Sequence, residues 1–191
     1  LEFPLDAFKI WEGGMAFHGG FLGVILAAFL FIRQRGVLLA SGADLIAIAT
    51  PPGLFFGRIA NFINGELFGR VTSHPFGIIF PRGGPDPRHP SQLYEAVLEG
   101  AVLFILLLIL TRIKRHTGLR DGVILSGFLA GYGLARFCIE FVREPDRHIG
   151  FIAETGFLSI TMGQILTLPM IFIGIAGMIM TIKTRPSGRS A

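Results

Sequence analysis

VLFILLLIL, residues 102–110, gives a helix no polar face. A helix in the core of a soluble domain keeps a polar stripe toward water, and this run has none. Extended upstream to residue 91, it reaches the ~20 residues that a helix needs to cross the hydrocarbon layer. Similar runs fill 15–33, 43–63, 122–142 and 161–182. With 91–110 they predict an all-α multi-pass membrane protein: about five transmembrane helices in a single membrane domain spanning 1–191. Composition agrees, since 51% of residues are hydrophobic and 16% charged, against ~25% charged in an average globular domain.

The formal charge of +4 is carried on the connections between apolar runs. That placement points to membrane topology, and no nucleic-acid partner is expected. Nine Lys and Arg lie on the side holding the 33–42 loop, the 111–121 loop and the C-terminus, against six on the other. The excess places those loops and the C-terminus in the cytoplasm. The lone cysteine, Cys138, excludes an intrachain disulfide and a CxxC metal site. It reads as a core residue and not a nucleophile. No metal site is expected, and neither HExxH nor GxSxG occurs. The chain starts at Leu1 without a basic, then apolar, targeting segment, and reads as part of a longer protein.

The longest connection, about 67–90, is extracytoplasmic on this topology. Pro75, Pro81, Pro85, Pro87, Pro90 and the pair Gly83-Gly84 break helices there. Phe76 to Phe80 reads as a short strand within it. A loop of this length in a compact domain is more often functional than idle.

Polar residues crowd toward the same outer face. His18 opens the first run; Arg58, Asn61, Asn64 and Glu66 end the second; His89, Ser91, Gln92, Tyr94 and Glu95 open the third; Tyr132, Arg136, Glu140 and Arg143 end the fourth. A charge at mid-bilayer costs about 2.5–3.5 kcal/mol, so each must face protein or water. Tyr132, Arg136 and Glu140 recur at i, i+4, i+8, and Arg58 and Asn61 at i, i+3, so each set shares one helix face. Small-xxx-small pairs at Gly53/Gly57 and Gly127/Gly131 predict close helix packing. Arg58–Glu66 and Arg136–Glu140 read equally well as structural ion pairs or as site groups; the one-sided clustering of the whole set favours a site. Glu95 and Glu99 stack at i, i+4 with no partner assigned and read equally as structural.

Three arginines suggest an anion, because the guanidinium fork fits phosphate oxygens. At an outer membrane face the abundant phosphate is a phospholipid head group, to which Asn61 and Asn64 can add neutral donors. Glu66 or Glu140 can orient the arginines. His18 is either a proton carrier or a histidine that caps a helix or bonds a carbonyl.

Four motifs then carry a resemblance: FHGG at 17–20, GRIANFINGELFGR at 57–70, HPSQLYEA at 89–96 and RFCIEFVREPD at 136–146. Together and in this order they resemble the prolipoprotein diacylglyceryl transferase family, with Ala60 where many members carry glycine. The resemblance implies an enzyme of the bacterial cytoplasmic (inner) membrane. Its partners would be the lipid bilayer, phosphatidylglycerol and a preprolipoprotein signal peptide with its lipobox cysteine. The diacylglyceryl group moves to that cysteine thiol, a thioether forms and glycerol-1-phosphate leaves, with no cofactor. By similarity His18, Arg58, Asn61, Glu66, Gly69, Tyr132 and Arg136 match positions that matter in the family. Combined with the residue chemistry, His18, Arg58 and Arg136 become the catalytic candidates. Asn61, Asn64, Glu66, Gly69, Tyr132, Glu140 and Arg143 become the substrate-binding ones. The family normally has further helices upstream of this segment, including a tyrosine with no counterpart here.

Two rivals remain. A phospholipid or anion transporter predicts polar residues continuing to the cytoplasmic face and internal two-fold similarity, whereas 22–32 and 103–110 are apolar and no repeat is visible. A non-enzymatic membrane scaffold predicts that charged pairs tolerate joint replacement.

Overall fold

A computed structural model describes residues 17–144, 151–155 and 158–183. The described chain separates into two compact units, one ending at Gly42 and one beginning at Ala43. Each expected apolar run is helical: α1 (Phe17–Gln34), α2 (Leu39–Asn64), a continuous rod made of α3 (Ser91–Glu95), a π-helical segment (Ala96–Val102) and α4 (Leu103–Thr117), then α5 (Val123–Ile139) and α6 (Met162–Lys183). The third helix overruns its apolar run by two turns because backbone hydrogen bonding does not stop where side chains turn basic. It ends at Gly118, whose φ of +66° and N–H bond to Lys114 O close the last turn.

Among the described residues three helices are long and apolar enough to cross a membrane: Leu39–Asn64, Ser91–Thr117 and Met162–Lys183. Leu22–Gln34 and Val123–Ile139 are shorter apolar helices, so length and composition support three crossings and not the full five. Large apolar side chains on these rods stand outward, Leu166 at 64% and Phe172 at 68% exposure. Such faces suit lipid, and with the apolar helices they make this a membrane protein.

In the first unit, Arg33 and Arg35 lie over the rings of Phe29 and Phe31, 5.8 and 5.2 Å from their centroids. The second unit centres on Ala47, Leu103, Leu107, Val123 and Ile124, buried where α2, α4 and α5 meet. Gly127 and Gly131 pack as expected: an added Cβ would meet Leu110 Cδ2 at 2.7 Å and Leu103 Cδ1 at 2.6 Å. Gly133 and Gly174 do the same between α5 and α6, where a Cβ on Gly133 would lie 2.8 Å from Ile171 Cγ1 and one on Gly174 2.7 Å from Ser126 O. The Gly53/Gly57 expectation fails, since neither has anything within 4 Å among the described residues.

Asp44 of α2 organises the start of α5. Its carboxylate accepts from Gly122 N (3.0 Å) and Leu125 N (2.9 Å) and pairs with Lys114 Nζ at 2.7 Å. Asp121 holds the same ammonium at 2.6 Å. A buried carboxylate thus supplies the cap that Gly122, with no side chain, does not.

Two corrections concern strands. Phe76 to Phe80 do not form one; this stretch makes only an isolated bridge, Ile78↔Arg88, while Val71 also bridges Arg88. Pro81, Pro85, Pro87 and Pro90 lack the N–H groups that a ladder through Arg88 would require. The chain is also not wholly helical, because β1 (Phe151–Thr155) and β2 (Leu158–Thr161) form an antiparallel hairpin with Glu154 opposite Ser159.

Candidate active site

Glu95 lies at the centre of the site, fully buried at the end of α3. Arg58, from the last third of α2, places Nε 2.7 Å from its Oε2. Arg136, from the last turn of α5, places Nη1 3.0 Å from its Oε1. Arg143, just beyond α5, brings Nε to 3.8 Å of Oε1. One turn on, Glu99 is equally buried, with Arg58 Nη2 and Arg136 Nη1 each at 3.9 Å. Glu140 completes the set, 3.1 Å from Arg136 Nη2 and 3.8 Å from Arg143 Nη1.

Three guanidinium and three carboxylate groups from α2, α3 with its π segment, and the end of α5 therefore share one buried cluster. Helix geometry explains the convergence. Arg136 and Glu140 lie at i, i+4 on one face, and so do Glu95 and Glu99. The π segment carries Glu99 and Gly100, and Gly100 lets α2 come close: a Cβ there would lie 2.9 Å from Phe55 Cα. π turns are often found at functional sites.

The loop beyond α2 ties onto this cluster. Arg70 donates from Nε to Arg143 O (2.8 Å) and from Nη2 to Glu140 O (3.1 Å), bracing the end of α5. Arg88 donates to Gly83 O at 2.8 Å and Gly69 O at 3.2 Å, pairs with Glu144 at 2.9 Å and stacks over Phe68. Gly69 is buried, and a side chain there would meet Val142 O and lie 3.0 Å from His89 O. His89 precedes the membrane span; burial and then nearby His74 lower its pKa, which favours the neutral imidazole.

The sequence that builds these contacts matches a family profile over most of its length. That profile, described as prolipoprotein diacylglyceryl transferase, matches residues 1–180. The chain belongs to the prolipoprotein diacylglyceryl transferase family. A phosphatidylglycerol–prolipoprotein diacylglyceryl transferase of Rhodospirillum rubrum is 54% identical over 187 residues, covering 97% of this chain and 66% of its own. One from Idiomarina loihiensis is 51% identical, covering 98% of this chain and 68% of its own. One from Geobacter sulfurreducens is 53% identical, with 92% and 64% covered. The chain spans about two thirds of the length of the curated relatives it matches.

Within that family frame, Arg58, Arg136, Glu140 and Arg143 are brought together. Tyr132 lies one turn before Arg136, its ring stacked on Phe128 at 5.7 Å. Asn61 is half-buried on α2 and its carbonyl accepts from Glu66 N at 3.0 Å, while Asn64 is exposed. The His18 side chain lies outside the described residues. Arg58 does not pair with Glu66 but with Glu95, whereas the Arg136–Glu140 pair forms. Cys138, read as a core residue, is exposed.

Glu95 and Glu99 were the residues that residue-type reasoning left without a role. The available signal was their placement, as two carboxylates one turn apart at the head of a long apolar run, where each needs a cation. Ser91 and Gln92, both fully buried, also went unassigned.

Proposed function

We propose that the complete protein transfers the diacylglyceryl group of phosphatidylglycerol to the lipobox cysteine of a bacterial prolipoprotein. The observation that carries this reading is the sharing of Glu95 by Arg58 and Arg136, 2.7 and 3.0 Å away, from helices far apart in sequence. Guanidinium groups held by a buried carboxylate are pre-oriented for an incoming phosphate, so little reorganisation is needed when charge develops. Below them, an apolar cavity of about 490 Å³ between α4, α5 and α6, lined by Leu103, Gly131 and Leu134, starts one turn from Glu99 and Arg136. A lining of this kind suits the acyl chains of a lipid.

In the proposed reaction the cysteine thiolate attacks the diacylglycerol carbon that carries the phosphate ester. A C–S bond forms, the C–O bond breaks, and its electron pair leaves on glycerol-1-phosphate. Arg58 and Arg136 hold the phosphate oxygens, with Arg143 alongside. Asn61, Asn64, Glu66, Gly69, Tyr132 and Glu140 orient the head group or the arginines. The thiol, with a pKa of ~8.5, must lose a proton to become nucleophilic. His18 is the assigned acceptor. The protein sits in the bacterial inner membrane with this site toward the outer leaflet and its C-terminus in the cytoplasm.

The test uses the full-length protein with phosphatidylglycerol vesicles and a lipobox peptide. Mass spectrometry should detect the added diacylglyceryl mass, and Arg136→Ala should abolish it while the protein still folds. Normal turnover by that variant would refute the assigned role.

A further inference from the structure

The turn after α2 is held in a conformation that its own sequence does not favour. Gly65 has φ +65°, which glycine adopts freely, but Leu67 has φ +56°. A side-chain-bearing residue rarely enters this left-handed region and persists there only when its surroundings hold it. Four bonds do so. Glu66 N donates to Asn61 O at 3.0 Å and Gly69 N to His89 O at 2.8 Å. Between them, Gln92 Nε2 donates to Glu66 O at 2.6 Å and Ser91 Oγ to Leu67 O at 3.0 Å.

Ser91 and Gln92 are each 0% exposed. They lie four and three residues before Glu95, so they ride on the same helical turn as the carboxylate that gathers Arg58 and Arg136. Glu66, the residue at the centre of the clamped turn, forms no ion pair among the described residues. The clamp therefore fixes the backbone that carries the Glu66 carboxylate.

We propose that Ser91 and Gln92 are positioning residues, whose bonds to the Leu67 and Glu66 carbonyls fix the strained turn so that Glu66 faces the lipid head group. This rests on the proposed diacylglyceryl transfer. It adds that the start of the third span acts on turnover through Glu66, without touching the substrate.

The experiment is a double-mutant cycle in the full-length enzyme, with phosphatidylglycerol vesicles and a lipobox peptide. Gln92→Ala should lower kcat by about tenfold to hundredfold, the scale of a misplaced catalytic constellation. Ser91→Ala should act in the same direction, and Ser91→Thr, which keeps the hydroxyl, should remain within about threefold of wild type. On a Glu66→Asp background the added effect of Gln92→Ala should shrink to about threefold or less, because residues that act through one another are not additive. Full additivity, or unchanged turnover in Gln92→Ala, would overturn the proposal. If Gln92→Ala does not fold, Ser91→Ala carries the same cycle.

A wild-type enzyme that adds no mass to the peptide would instead refute the transfer reaction. Amide hydrogen exchange over residues 65–69 then decides the clamp: faster exchange in the Ser91 or Gln92 variants supports it, and unchanged exchange overturns it.

Discussion

Glu95 is within ion-pair distance of Arg58, Arg136 and Arg143, at 2.7, 3.0 and 3.8 Å, and has no contact with solvent. Removing it takes away the nearest carboxylate of Arg58 and one of the two closest to Arg136, leaving three guanidinium groups on Glu99 and Glu140, whereas removing any one arginine leaves others on the same carboxylate. Breaking a buried pair from one side typically costs about 3–5 kcal/mol. Glu95→Ala is therefore expected to destabilise the protein by about that amount, and Glu95→Gln, which keeps the shape and a hydrogen-bonding oxygen, by clearly less; denaturant unfolding in detergent measures both. If the two variants unfold at the same midpoint as wild type, Glu95 is not the centre of the cluster. The arginines were legible in the sequence because a guanidinium in an apolar run demands a partner. Which carboxylate answers each was not, since Glu66 is nearer to Arg58 in sequence, and only the packing of α3 against α2 and α5 brings Glu95 closer.

At the scale of elements, the helices were legible from apolar length alone, and the π segment was not. Nothing in residues 96–102 distinguishes an i→i+5 turn from an ordinary one. The departure accompanies the close approach of Gly100 to the Phe55 backbone, a tertiary contact. Nor was the Asp44 clamp foreseeable, because it joins residues about 80 positions apart. It also yields a prediction. Asp44→Ala removes two acceptors from the first turn of α5 and one of the two carboxylates at Lys114, so a loss of about 1–3 kcal/mol is expected. The loss should appear as a lower unfolding midpoint and as faster amide exchange confined first to the start of α5. Exchange rising uniformly along the chain would argue against a local capping role. Asp44 and the cluster around Glu95 lie toward opposite ends of α2, so Asp44→Asn, the milder change, should leave the KM for phosphatidylglycerol near wild type.

For the whole molecule, charge and chemistry run in opposite directions along the helices. Lys114, Arg115 and Arg120 gather where α4 ends and α5 begins, and the candidate site gathers where α2 ends and α3 begins. The proposed topology, drawn from the positive-inside rule, has the first end in the cytoplasm and the second at the outer leaflet. Cys138 is the sole cysteine, so a Cys138→Ser background gives a clean canvas for labelling. On it, Ser73→Cys, an exposed position in the proline-rich loop, should react with a membrane-impermeant maleimide added to intact spheroplasts expressing the full-length protein. Thr117→Cys, exposed at the end of α4, should react only after the membrane is opened. The reverse pattern would put the arginine cluster on the cytoplasmic side. There a lipobox thiol presented from the outer face would not meet it, and the proposed reaction would lose its geometry even with every ion pair intact. The labelling result thus bears on the chemistry as much as on the topology, because the proposed reaction needs thiol and phosphate delivered to the same end of α2.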